Sequence, residues 1–146
     1  MTEPILEARG LTKFFPTKRG TVRAVDDIDF RMAPGDTLGL VGESGSGKTT
    51  TAQCVVGIYA PTMGDVLFHG RSIGATAAKR SKELKREIRI VFQDPGSSLN
   101  PKRTIKQILA TPLAVHHLAS GREQLARISA LLERVELPPA EYLYKH

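Results

Sequence analysis

The chain has 146 residues and a single cysteine, Cys54. An internal disulfide is therefore excluded, and Cys54 reads as a small packing residue. No run of 18 apolar residues occurs, so the sequence offers no helix of bilayer-crossing length. The opening Met1-Thr2-Glu3-Pro4 lacks a charged stretch followed by an apolar one, which argues against secretion and predicts a cytosolic address. Internal repeats and low-complexity tracts are also missing. What remains is a soluble globular chain, 40% apolar and long enough for one domain with a core of its own.

Aromatics are scarce where the charge is strongest. The formal net charge is +6, and the basic residues gather at Lys79, Arg80, Lys82, Lys85, Arg86 and Arg89. Glu83 and Glu87 lie four residues from Lys79 and from each other, the spacing of a solvated helix face. Only Phe92 is near this run, so no stacking platform for bases is visible and nucleic acid is not expected as a partner. The run reads as solvated surface, of use in docking on a partner or near an anionic membrane surface.

The most informative stretch is Gly42-Glu43-Ser44-Gly45-Ser46-Gly47-Lys48-Thr49. It spells G-x-x-x-x-G-K-[ST], a phosphate-cradling loop. Residues 37–41 form a short apolar run that predicts a buried strand before it. Residues 49–56 are free of proline, with Ala52, Val55, Val56 and Tyr59 at helical spacing after it. Gly42, Gly45 and Gly47 permit backbone angles that turn successive N–H groups inward around an anion. The helix opening near Lys48 adds unpaired N–H groups and the positive end of its dipole. Lys48 is predicted to reach the β- and γ-phosphates, Thr49 to ligate Mg²⁺ through its hydroxyl, and Thr50 to add a phosphate contact. The alternative is a glycine-rich turn that binds nothing.

Around the loop the organisation is coherent. Residues 5–9 suggest a strand, 12–20 a basic loop, and 22–32 one or two further strands. Pro34-Gly35-Asp36 is a turn. Gly57 is a plausible cap for the helix and Pro61 its stop. Residues 65–68 are strand-like and end at His69-Gly70. A helix over 77–86 precedes a strand over 88–92. Residues 93–101 are predicted to be irregular, and helices follow. Ser120 and Glu123 predict a capping box for a helix whose apolar face is Leu125, Ile128, Leu131, Leu132 and Val135, ended by Pro138 and Pro139.

With these residues in view, the chain resembles the first part of an ATP-binding cassette (ABC) ATPase. GESGSGKTT is followed by VFQDP, and QDPGSSLNPK from Gln93 to Lys102 resembles the Q-D-P-x-x-S-L-N-P-R string of the dipeptide/oligopeptide importer branch. The resemblance runs from Ile5 to His146. It implies an α/β P-loop core with an antiparallel β subdomain over 1–93 and the start of a helical subdomain over 94–146. It implies ATP and Mg²⁺ as ligands, and ATP-driven import of peptides or similar solutes by a peripheral subunit on the cytoplasmic side of the membrane. The partners it implies are transmembrane permease subunits, a second ATPase subunit and, indirectly, a solute-binding protein.

The same resemblance assigns further roles. Gln93 is placed as an Mg²⁺ ligand and γ-phosphate sensor at the joint between core and helical subdomain; the plainer reading is a strand end. An aromatic of Thr12-Lys13-Phe14-Phe15 is placed to stack on adenine, with Phe15 the choice and Phe14 the fallback. Glu43, Ser44 and Ser46 belong to the ATP-binding loop. Members continue into an L-S-G-G-Q signature, a Walker B strand ending in Asp-Glu, and a switch histidine; none of these is in the sequence. Asp94, preceding Pro95, is rejected as a Walker B carboxylate, and His116 and His117 read as surface residues. Glu136 stands where relatives often have glycine.

The expectation is therefore an incomplete domain that binds Mg–ATP without efficient hydrolysis. The resemblance also implies that the strands flanking the P-loop strand belong to the other half of the domain, which would leave an apolar edge unpaired, an aggregation hazard, and predicts a marginal monomer or one that needs a partner. Two rival readings are a soluble ABC-type ATPase acting on nucleic acid or ribosomes and a non-catalytic remnant.

Overall fold

A computed structural model describes residues 3–73, 76–94 and 98–142. Residues 95–97 of the predicted irregular stretch lie outside the described residues, as do 143–146. The chain divides into two compact units, Met1–Arg89 and Ile90–His146.

The first unit is built on one antiparallel sheet. Strand β1 (Leu6–Thr17) pairs with β2 (Gly20–Met32) on one side and β3 (Met63–Phe68) on the other, and β4 (Arg71–Ser72) adds to β3. The predicted loop over 12–20 is mostly strand. Phe14 and Phe15 pair with Arg23 and Val22 across the β1–β2 hairpin, so residues that look isolated in sequence acquire a ladder in space. Ala8, Leu11, Val25, Val66 and Ile73 make the buried core with Cys54 of helix α1 (Lys48–Val56). Burial pushes the Cys54 thiol up, which keeps it protonated and agrees with a packing role. The predicted apolar face of α1 is turned. Its buried residues are Thr51 and Cys54, while Val55 only packs at the edge of the core.

On β1 Glu7 is buried and held by two guanidiniums. Arg9 donates to it over 2.7 Å and Arg31, its register partner on β2, over 2.6 Å. The hydrogen bond from Arg9, aided by that from Arg31, holds the Glu7 carboxyl below its ordinary value against the opposing effect of burial.

The predicted strands over 37–41 and 88–92 join no ladder among the described residues. Val41 is 93% exposed and Val91 90%. A strand is a shared hydrogen-bond pattern, and apolar sequence without a neighbour does not make one. The predicted helix over 77–86 is split into a 3₁₀ turn at Ala77–Lys79 and helix α2 (Lys82–Glu87), with Arg80 extended between them.

The second unit is helical, comprising α3 (Ile105–Val115), α4 (Gly121–Arg134) and the short α5 (Pro139–Tyr142). Its core is Leu113, Ile128 and Leu132, with Ile105, Leu109, Leu118 and Leu137 packed around them. The buried stripe of α4 is narrower than predicted, because Leu131 and Val135 stay exposed. The predicted capping box at Ser120 is absent: Ser120 is the N-cap residue, but its side chain makes no cap bond. A complete box sits at α3 instead. There the Thr104 hydroxyl accepts from the Gln107 N–H and the Gln107 side chain accepts from the Thr104 N–H. Helices α3 and α4 both end on a non-glycine residue of positive φ, His117 at 52° and Glu136 at 61°. In each case the N–H of the following leucine returns to a carbonyl five residues back: Leu118 to Leu113 over 2.8 Å, Leu137 to Leu132 over 2.9 Å.

Candidate functional site

The loop over residues 42–47 delivers Lys48 to the first position of α1. Lys48 Nζ donates to the carbonyl oxygens of Gly42 at 2.9 Å and Glu43 at 2.6 Å, and to the Ser46 hydroxyl at 3.2 Å. The ammonium thus spans the loop from one side to the other. The Ser46 N–H returns to the Glu43 carbonyl at 3.2 Å, tightening the bend. The first bond inside the helix runs from the Thr51 N–H to the Gly47 carbonyl at 2.8 Å, doubled by the Thr51 hydroxyl at 3.0 Å. The N–H groups of Lys48, Thr49 and Thr50 precede that bond, so they are the orphan donors of a helix start.

Two glycines show why the loop is spelled as it is. Gly47 is the N-cap residue in the left-handed region, φ 90°. A Cβ added there would run into the Ala24 carbonyl oxygen of β2. The loop is therefore pressed against the hairpin, and only glycine combines that backbone angle with that approach. Gly45 also has positive φ, 84°, but a Cβ there would meet nothing within 4 Å.

A cavity of about 460 Å³ opens beside the loop, lined by Lys48, Ser46, Gly42 and Val41 on one side and by Arg23, Ala24 and Asp26 of β2 on the other. Arg23 is paired with Asp26 at 3.3 Å and stands over the Phe14 ring at 5.3 Å. Sequence reasoning missed the β2 wall. Its signal is indirect, since the β1–β2 hairpin must return residues 23–25 to the glycine loop for Gly47 to be needed there.

Glu43, Ser44 and Thr49 are exposed around the loop, and Thr50 is half-buried in the first turn of α1. Phe15 meets Tyr59 edge-on, ring centres 5.0 Å apart, with Lys13 Nζ 5.0 Å from its centre. The fallback, Phe14, is the ring beneath Arg23, which itself lines the cavity. Gln93 falls in the second unit, exposed in a bend. Asp94 is exposed as well, and His116 and His117 cap the end of α3. Among the described residues no group of three or more His, Cys, Asp or Glu side chains forms a metal cluster, and no helix is long and apolar enough to cross a membrane.

A glycine-rich loop that opens a helix with Lys-Thr, backed by a small antiparallel sheet and followed by a helical unit, defines an α/β P-loop architecture. The family model for ABC transporters matches residues 25–144, and the chain belongs to that family. It is 46% identical over 139 residues to the oligopeptide transport ATP-binding protein OppF of Bacillus subtilis, covering 94% of this chain and 46% of that protein. It is 40% identical over 152 residues to the glutathione import ATP-binding protein GsiA of Salmonella paratyphi A, covering 99% of this chain and 24% of that protein. The chain thus spans half or less of the length of these relatives. Among solved structures it resembles a dimeric bacterial ABC transporter cassette, with TM-score 0.74 and 22% identity over 96% of this chain and 60% of the other. It also resembles cbiO1 of Clostridium perfringens, described as part of the ABC transporter complex cbiONQ. There the TM-score is 0.70 and the identity 26%, over 98% of this chain and 54% of the other.

Proposed function

We propose that this chain is the ATP-binding part of an ABC importer subunit and that it holds Mg–ATP at residues 42–50. The observation that carries the reading is Lys48 Nζ bridging the Gly42 and Glu43 carbonyls directly ahead of the orphan N–H groups of α1. A terminal phosphate would meet that ammonium, the loop amides and the helix dipole together. The donor set fits a polyphosphate: the loop and the first turn of α1 carry N–H groups, one ammonium and the hydroxyls of Ser46 and Thr49, and Gly45 leaves its side open. Thr49 would hold Mg²⁺, which would supply charge neutralisation at the phosphates. Glu43, Ser44, Gly45, Gly47 and Thr50 complete the phosphate side, and Phe15, or Phe14, supplies a ring for adenine.

Hydrolysis needs a group that orients or activates water and a closure of the site over the phosphates. Neither a Walker B Asp-Glu nor an L-S-G-G-Q signature is in these 146 residues. The chain by itself is therefore a binder with slow turnover. In the cell it serves at the cytoplasmic face of the membrane, peripheral to permease subunits and paired with a second ATPase subunit. A solute-binding protein delivers peptides or similar small solutes. The oligopeptide and glutathione import relatives support that solute class.

Equilibrium binding of a fluorescent ATP analogue with Mg²⁺ tests the reading. Lys48→Ala should weaken binding at least tenfold, because it removes a charge-assisted bond worth about 1.5–3 kcal/mol. Equal affinity of the two proteins would refute the site. Rapid phosphate release by the wild-type chain, abolished in Lys48→Ala, would refute slow turnover.

A further inference from the structure

Arg80 belongs by sequence to the basic run expected in solvent, yet it is 7% exposed. Its Nε–H donates to the Ile73 carbonyl at 3.0 Å and its Nη2–H to the Val55 carbonyl at 2.9 Å. Val55 lies in the last turn of α1, where carbonyls have no partner inside the helix. Ile73 follows β4. The guanidinium passes under Gly57, where an added Cβ would come 2.8 Å from Cζ. The Ala77 N–H closes the same corner on the Gly57 carbonyl at 2.8 Å. The backbone of Arg80 is itself fixed: its N–H closes the 3₁₀ turn on Ala77, and Ser81 after it caps α2 by accepting from the Leu84 N–H at 3.2 Å.

An arginine stays charged when buried, and here two carbonyl oxygens meet the charge, one of them at the negative end of α1. That helix has few other anchors. Of its nine residues only Thr51 and Cys54 are buried, so contacts at its two ends add to a short central anchor. Gly47 is pressed against Ala24 at one end, and Arg80 holds the other.

We propose that Arg80 is a positioning residue for the phosphate loop: by tying the last turn of α1 to the end of the β3–β4 hairpin, it sets the helix whose first turn presents Lys48, Thr49 and Thr50. The ligand side of this inference rests on the function proposed above; the tether does not. Nine residues make a helix roughly 13 Å long, beyond the screening length of about 8–10 Å at physiological salt. Arg80 therefore acts through geometry and not through its field.

The test compares wild type, Arg80→Met and Arg80→Lys at a temperature where circular dichroism shows each folded. Arg80→Lys keeps the charge without the two-pronged bond, and serves alone should Arg80→Met not fold. Two quantities are read: hydrogen exchange of the Thr51 amide without ligand, and the Kd for Mg–ATP. Faster exchange at Thr51 and a Kd raised roughly tenfold in both variants are expected, a loss of about 1.4 kcal/mol in phosphate binding. Faster exchange confined to residues 55–57 and 77–80, with Kd unchanged, would overturn the proposal. So would a Kd in Arg80→Lys equal to wild type, because charge alone would then suffice. If wild type binds no Mg–ATP, the proposed function falls, and exchange at Thr51 alone decides the tether.

Discussion

Replacing Gly47 with alanine should disturb the protein in two separable ways. The residue has φ 90°, and holding an L side chain in the left-handed region costs about 1–2 kcal/mol. Its Cβ must also displace the Ala24 carbonyl of β2, an overpacking penalty of about 1–3 kcal/mol. Gly45→Ala is the internal control. Its φ of 84° imposes a similar backbone penalty, but its Cβ meets nothing within 4 Å. Urea denaturation of both variants, followed by far-ultraviolet circular dichroism, therefore isolates the steric part. With m of about 1–3 kcal/mol/M, Gly47→Ala should unfold at a midpoint lower than Gly45→Ala by on the order of 1 M. If Gly47→Ala is unfolded in buffer alone, titration with a stabilising osmolyte restores a measurable transition. Equal midpoints would refute the claim that the loop is pressed against the hairpin.

Other perturbations probe other parts of the fold. Glu136→Gly relieves a non-glycine residue at φ 61° and should raise stability by about 0.5–1 kcal/mol in a denaturant titration; a loss would contradict the left-handed cap. Thr104→Ala removes the capping box of α3 and should cost about 1 kcal/mol, whereas Ser120→Ala, lacking a cap bond, should stay within about 0.5 kcal/mol. Glu7 has its carboxyl lowered by Arg9 and Arg31, so its ion pairs stabilise fully above the unfolded carboxylate value of about 4.3. That contribution fades as pH falls through the lower folded value. The melting-temperature gap between wild type and Glu7→Gln should therefore be constant near neutrality and shrink below about pH 4.3; a gap that widens on acidification would contradict the assignment.

The glycine loop and its helix were legible because both obey local rules. Glycine tolerance of positive φ and the Lys-Thr start of α1 depend on a few neighbouring residues. The strands over 37–41 and 88–92 were misread because a strand is completed by a partner distant in sequence, and apolar composition says nothing about whether one is present. Arg80 was misread for a related reason. A basic residue among lysines resembles solvated surface until the chain folds a helix C-terminus onto it. Glu7 likewise looks like one polar position in a weakly alternating strand, and only the β1–β2 register brings Arg31 to it. The capping boxes differ in their neighbours: Ser120 and Glu123 have the right spacing, but the two-way bond forms at Thr104 and Gln107.

The central claim is that Lys48 and the first turn of α1 hold the phosphates of ATP. Isothermal titration calorimetry of the folded chain with Mg–ATP tests it most directly. A saturable one-to-one heat, lost in Lys48→Ala while the circular dichroism spectrum is unchanged, is the predicted result. No heat from a folded wild-type chain, or the same heat from Lys48→Ala, would contradict the account.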